Sequence, residues 1–437
     1  MDVSLWNHAF LKLDEAVEQG LACIEALDAA VARVLEAKFR LGLFENPYTR
    51  EEAAAEIVGC AAHRETNLQL ARESLVLLKN QGILPLPSTT RRIAVLGPNA
   101  DHAYNQLGDY TSPQRDGQVT TILQGIQTLA QQMQAEVIYR RGCGVTSRDD
   151  SELAEAIQVA SEAEVAILCL GGASTRDFGM NFDFNGAAIP GPIATEMDCG
   201  EGVDASNLSL PGRQQELFEA VVSTGVPTIV VLVQGRPYAI PEIAEQAQAI
   251  LAAWYPGQEG GTAVAEALFG RVNPSGKLCI SMPRSEGQLP VYYNHKPLAR
   301  SNYYDQSATP LYPFGYGLSY TQFQHSNLRI EPAQISVDGR CKVTVTVENT
   351  GTVAGAEVTQ LYVRDKVASI VRRIRELKGL HKTFLQPGEK ADIVFELSPA
   401  ELGLWNSEMR WVVEQGVFTL TIGHDPETAL TAELTVS

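Results

Sequence analysis

The chain has 437 residues, 45% of them hydrophobic and 20% charged, which is enough for two or three cores and typical of a globular protein. Its formal net charge of −18, from 34 basic and 52 acidic side chains, argues against nucleic acid and anionic membrane as partners. No run reaches the roughly 18 apolar residues of a membrane helix, and Met1-Asp2 opens no basic and apolar leader. The first elements are two helices. Ala9 to Gly20 places Phe10, Leu13 and Val17 at helical spacing, and Asp28 is expected to cap a second helix through Val31, Val34, Leu35, Phe39 and Leu41. His63 to Lys79 reads as a third helix.

Short apolar strands then alternate with helices. Strands are expected at 92–97, 136–139, 165–170, 227–233 and 249–254, with helices at 119–132, 151–163, 214–224, 241–248 and 260–269. Continuous apolar strands of this kind form a doubly wound, mostly parallel sheet covered by helices on both faces. Arg271 to Gln324 is rich in Pro, Gly and Tyr and reads as a linker wrapped on the surface. From Cys341 the period becomes two, with strands at 342–347, 357–363, 391–397 and 416–422 separated by turn residues, the pattern of a β-sandwich of about 100 residues. Seven cysteines, scattered and without a Cys-x-x-Cys, read as reduced and mostly buried thiols of a cytosolic-type protein.

The loop after the strand at 165–170 is the chemical focus. It is far longer than an α/β connection requires, and Glu196 to Asp204 holds four carboxylates in nine residues, with glycines on both sides of Glu201. Such glycines let a tight loop aim a side chain outward. Glu201 is therefore a candidate acid/base, with the alternative of a solvated loop carboxylate. Asp198 and Asp204 would raise its proton affinity by repulsion. Asp109 and Tyr110 are candidates for substrate contact or, equally, a helix cap and a packed ring. Arg176 and Asp177 suit sugar hydroxyls or an ion pair within the loop. Trp254-Tyr255 reads as packing at a strand end. His63 and His295 have no partners at ligand spacing, so no metal is inferred. Val95-Leu96-Gly97-Pro98-Asn99 lacks a Gly-x-Gly-x-x-Gly pattern, so no nucleotide cofactor is inferred.

Taken in order, several stretches resemble the C-terminal part of a family 3 glycoside hydrolase of the β-glucosidase/β-xylosidase type. They include Lys38-Phe39-Arg40-Leu41-Gly42-Leu43-Phe44, Gly108-Asp109-Tyr110-Thr111, Gly200-Glu201-Gly202-Val203-Asp204, Gly235-Arg236-Pro237, Asn273-Pro274-Ser275-Gly276-Lys277-Leu278 and Tyr312-Pro313-Phe314-Gly315-Tyr316-Gly317. The resemblance spans essentially the whole chain. It implies a helical barrel tail and linker at 1–48, an α/β sandwich at 49–287, a wrapping linker at 288–324 and a fibronectin III-like β-sandwich at 325–437. It also implies a retaining mechanism on β-glucosides or β-xylosides, with Glu201 as acid/base. The family's nucleophile is a barrel aspartate, commonly in a Ser-Asp dipeptide, and this sequence contains no Ser-Asp. Activity is then expected to need a separate barrel domain, the alternative being a non-catalytic carbohydrate-binding or scaffold fragment. The implied partners are a small oligosaccharide or glycoside, the barrel domain or a second copy of the chain. Ala205 stands where the family commonly has an arginine, which removes a basic contact beside Glu201. The cytosolic reading rests on the thiols and on the start of the sequence; secretion stays open with the resemblance, because the barrel would lie upstream.

Overall fold

A computed structural model of the chain describes residues 9–175, 196–297, 303–423 and 428–437. Two units are described, each by itself: residues 9–64, and residues 65–175 with 196–437. The first contains α1 (Leu13–Glu18), α2 (Ile24–Arg40) and α3 (Glu51–Ile57). Helix α2 starts one turn earlier than expected, so Asp28 lies inside it and does not cap it. Its apolar stripe of Val31, Val34, Leu35 and Phe39 is exposed.

Helix α4 (Ala61–Ser74) leads into strand β1 (Val76–Asn80). The single helix expected from His63 to Lys79 is thus wrong in its second half. Leu75 to Leu78 is a run of buried apolar side chains, and so short a run suits a covered strand as well as a helix. The other strands of the α/β sandwich are β2 (Arg92–Leu96), β3 (Glu136–Arg140), β4 (Val165–Gly171), β5 (Thr228–Val233) and β6 (Ala249–Trp254). They form one six-stranded sheet in the order β1-β6-β5-β4-β2-β3, with β1 antiparallel to β6 and the rest parallel. Helices α5 (Ala103–Leu107), α6 (Ile122–Gln132), α7 (Leu153–Ser161), α8 (Gln214–Ser223) and α9 (Pro241–Gln246) connect β2 through β6, and α10 (Gly260–Leu268) follows β6. Thr121 and Gln124 exchange the two bonds of a capping box at the start of α6, which sets its first turn later than the expected Val119.

Alternate strand residues serve opposite cores. Ile93, Val95, Ile167 and Val231 pack with α6 and α10. Ala94, Leu96, Leu168 and Leu232 pack with α7 and α8. Both faces are buried, which is why these strands read as continuous apolar runs and not as alternating ones.

The β-sandwich pairs β7 (Phe323–Glu331), β8 (Gln334–Ile335), β9 (Cys341–Asn349), β10 (Gly355–Asp365), β11 (Glu376–Leu385) and β12 (Lys390–Leu397), followed by a small hairpin of β13 (Leu404–Trp405) and β14 (Trp411–Val412), then β15 (Gly416–Ile422) and β16 (Leu430–Val436). Its sheets run β11-β10-β15-β16-β8 and β12-β9-β7 around Val343, Val345, Leu361, Phe418 and Leu434. The segment expected to lie on the surface between the sandwiches is partly core: Leu278, Met282 and Tyr312 are buried with the α/β strands, and Leu318 bridges β1 at Leu77. The seven cysteines are free thiols, and only Cys143, Cys169 and Cys341 are buried, fewer than expected.

Candidate active site

Strand β2 crosses over to β3 on one side of the sheet, and β4 crosses to β5 on the other, so the strand order reverses between β2 and β4. Ligands of open α/β sheets bind outside the carboxyl ends of the strands at such a point. The loop leaving β2 carries Asp109 and Tyr110, and the loop leaving β4 carries Glu196 to Asp204. The two loop bases are tied: Asn99 Nδ2 donates to Gly172 O at 3.2 Å, and Asn105 Nδ2 to Asn99 Oδ1 at 2.8 Å.

Glu201 occupies the tip of a four-residue turn in which Val203 N donates to Gly200 O at 3.2 Å. Gly202 follows it with φ of +78°, the conformation a type II turn demands at that position. Gly200 has φ of +129°, and a Cβ on it would fall 2.9 Å from Met197 Cε and 3.1 Å from Asp109 Oδ2. The glycines thus permit both the turn and the close approach of the neighbouring loop. Asp109 uses that approach: its Oδ1 accepts from Tyr110 N at 2.8 Å and its Oδ2 from Glu201 N at 3.2 Å. Tyr110, with φ of +59°, donates its hydroxyl to Glu201 Oε2 at 2.9 Å. The sequence candidates Glu201, Asp109 and Tyr110 are therefore brought together on an exposed rim. Arg176 and Asp177 lie outside the described residues.

The flanking acids, expected to repel Glu201, differ in burial and share one cation. Asp198 is buried, and its Oδ1 accepts from Ala173 N at 2.9 Å while its Oδ2 accepts the Tyr238 hydroxyl. Arg236 Nη2 stands 3.5 Å from the same Oδ2 and donates to Asp198 O at 2.8 Å. Asp204 is exposed, and Arg236 Nη1 donates to its Oδ1 at 2.5 Å. The backbone N–H of Ala205 and then Arg236 hold the Asp204 carboxyl below the usual carboxylate range. Burial and the adjacent Asp198 push the Tyr238 hydroxyl well above the usual tyrosine range. One guanidinium thus meets both acids and clamps the loop on either side of Glu201. Arg236, just past the end of β5, is a basic contact of this loop. Its separation of 32 residues from Asp204 hid the pairing; the only signal was the Gly235-Arg236-Pro237 stretch just past a strand end.

Tyr255, past β6, pins the two loop bases. A Cβ on either Gly108 or Gly235 would lie 2.7 Å from its ring, and its hydroxyl lies 3.4 Å from Cys199 Sγ. Burial raises its proton affinity. An open depression of about 470 Å³ beside the turn is lined by Cys199, Gly200, Gly202, Val203, Asp204 and Arg236. Glu201 does not line it; its carboxylate is on the Tyr110 side.

Residues 75–320, the span that contains every one of these groups, match the glycosyl hydrolase family 3 C-terminal domain. The chain belongs to glycosyl hydrolase family 3. Residues 357–425 match a fibronectin type III-like domain, in keeping with the second sandwich. Among family 3 relatives, a β-xylosidase of Formosa agariphila is 36% identical over 94% of this chain and 55% of its own length. A periplasmic β-glucosidase of Salmonella typhimurium is 34% identical over 97% of this chain and 57% of its own length. The structure of a β-glucosidase from Erythrobacter marinus superposes with a TM-score of 0.86 at 37% identity, covering 98% of this chain and 57% of that one. The chain spans just over half the length of each of these three proteins.

Proposed function

We propose that the chain carries the acid/base half of a retaining β-glycosidase acting on terminal β-D-glucosides or β-D-xylosides, with Glu201 as the proton shuttle. The observation that supports this reading is the cluster at the switch point: an exposed glutamate on a glycine-flanked turn, fixed by Asp109 from below, by Tyr110 at its oxygen and by Arg236 on both sides. Glu201 protonates the departing glycosidic oxygen and then activates water. The Tyr110 hydroxyl orients the carboxylate through its bond to Oε2. A retaining site needs a second carboxylate about 5–5.5 Å from the first. Asp109 uses both oxygens on backbone N–H groups and serves as a holder; the nucleophile in this reading is the barrel aspartate that the family resemblance implies. Tyr110, with Arg176 and Asp177, contacts the sugar around this centre, and Asp109 holds the turn in place.

Aryl β-glucosides of graded leaving-group ability test the role of Glu201. In the native gene product, Glu201→Gln should depress turnover of poor leaving groups far more than that of activated ones, and equal losses would refute the acid role. The 437-residue chain alone should not turn over 4-nitrophenyl β-glucoside or β-xyloside; robust turnover would overturn the external nucleophile. Because the chain spans about half of its relatives, a second reading is a non-catalytic carbohydrate-binding or scaffold fragment. It predicts calorimetric binding of glucose, xylose or cellobiose that Glu201→Gln leaves intact.

A further inference from the structure

A second concavity lies between residues of two stretches, 281–296 and 303–313, and the approach to β11. It encloses about 1170 Å³, more than a disaccharide needs. Four cationic side chains, Arg284, Lys296, Arg373 and Arg375, line it together with Tyr292 and Tyr303, and no carboxylate is among its described lining residues. That sign is opposite to the chain as a whole, with its net charge of −18. Neither Arg284 nor Lys296 pairs with a carboxylate among the described residues; Arg284 Nε donates to Thr309 O at 3.0 Å. Arg373 stands 4.0 Å from Glu376, and Arg375 lies 5.0 Å from the centre of the Tyr362 ring.

The walls are bonded to each other, so the cavity is a built feature. Ile374 N donates to His295 O at 2.9 Å, Arg373 Nη1 to Asn294 O at 3.0 Å, and Leu377 N to the Tyr293 hydroxyl at 3.3 Å. Tyr293 stacks on Phe314 at 4.1 Å, and the Tyr303 hydroxyl donates to Gly287 O at 2.9 Å. Tyr292 is 61% exposed and Tyr303 43% exposed, which leaves ring surface for an incoming group.

Cations without carboxylate partners bind oxyanions, and guanidinium forks suit planar carboxylate and tetrahedral sulfate or phosphate. Exposed tyrosine rings offer the flat apolar surface on which the C–H face of a sugar rests. We propose that this cavity is a binding site for an acidic oligosaccharide, its carboxylate or sulfate held by Arg284 and Lys296 and its ring against Tyr292 or Tyr303. It would let the protein hold an acid-decorated glycan by a part that the reaction at Glu201 does not touch.

Titration calorimetry on the whole chain tests this with four probes: xylotriose, glucuronic acid-substituted xylotriose, a sulfated disaccharide and inorganic sulfate. At least one acidic sugar should bind roughly tenfold or more tighter than xylotriose, and its affinity should fall between 50 and 500 mM salt, as expected for an exposed ionic contact. Which acidic sugar binds identifies the anionic group. Lys296→Gln, which removes no hydrogen bond described here, should weaken that binding several-fold at an unchanged unfolding midpoint. Tyr292→Ala should do the same, and Glu201→Gln should leave it unaltered. Equal affinity for neutral and acidic sugars, no binding of either acidic sugar, sulfate binding as tightly as the sugars, or indifference to both Lys296→Gln and Tyr292→Ala would each overturn the proposal.

Discussion

The turn that carries Glu201 and the junction between the two sandwiches are each built around one cation, and they differ in what water can reach. At the junction, Lys277 pairs with Glu357 at 3.2 Å, and the two side chains are 12% and 11% exposed. Lys277 also donates to Gly317 O at 2.8 Å, Gln360 Nε2 to Gly315 O at 2.9 Å, and Asn273 Nδ2 to Ala354 O at 3.1 Å. At the turn, Arg236 reaches one buried acid, Asp198, and one exposed acid, Asp204, whose side chain is 84% exposed. The junction closes on itself and fixes one domain to the other. The turn is buried only at its base, and the Glu201 carboxylate at its tip, bonded to Tyr110, is exposed. Burial is the variable that separates a brace from a site, because the same pair of charges is strongly coupled when dry and weakly coupled when wet.

The largest expected effect breaks the dry side. Lys277→Met strands Glu357 without its cation and should cost about 4 kcal/mol in urea unfolding; a loss near zero would mean that water enters the junction. Next comes Arg236→Met, which leaves buried Asp198 without its cation and should cost about 3 kcal/mol. Hydrogen exchange should then rise at Gly200 to Asp204 and stay unchanged at the junction. A smaller effect concerns His325, which borders the junction, with its Nε2 3.3 Å from Thr359 Oγ1. Burial lowers its pKa, with Lys277 acting in the same direction and Glu357 opposing them. The unfolded chain binds the proton more readily, so this contribution to stability is complete above about pH 6.5 and is lost as pH falls through the lower folded value. Thermal midpoints measured from pH 7.5 to 5 should decline less steeply in His325→Gln than in the parent chain. The smallest effect is at the wet end: Asp204→Asn should leave the unfolding midpoint unchanged, since its partner Arg236 still has Asp198.

Much of this was legible in sequence, for physical reasons that also mark where legibility stops. Continuous apolar runs announced the parallel strands, and the glycines around Glu201 announced an aimed side chain; both are local signals. Asp109 and Tyr110 were readable as candidates but not as partners of Glu201, because that contact joins loops 92 residues apart. Asp198 and Glu201 are three residues apart and chemically alike, yet one is buried under Arg236 and Tyr238 and the other is exposed. Only the fold assigns those environments. Strand β1 was mistaken for helix because four buried apolar residues carry no period. Asn273 and Lys277 stood out as part of a stretch shared with the family, but their bonds to the β-sandwich gave that stretch its reason.

Strand β1 also has a bearing on how the chain comes into being. It is an edge strand, and its outer carbonyls are taken by later residues: Leu75 O accepts from Gly276 N at 3.1 Å, Leu77 O from Leu318 N at 2.8 Å, and Leu78 O from the Tyr316 hydroxyl at 3.2 Å. Its inner neighbour β6 begins at Ala249. During synthesis, an apolar strand therefore leaves the ribosome well before anything that pairs with either of its sides. An uncovered strand of this kind invites pairing with other chains. The interval between Val76 and Leu318 is thus the vulnerable period of this protein's birth, and the residues from Gly276 to Leu318 end it by sealing the sheet.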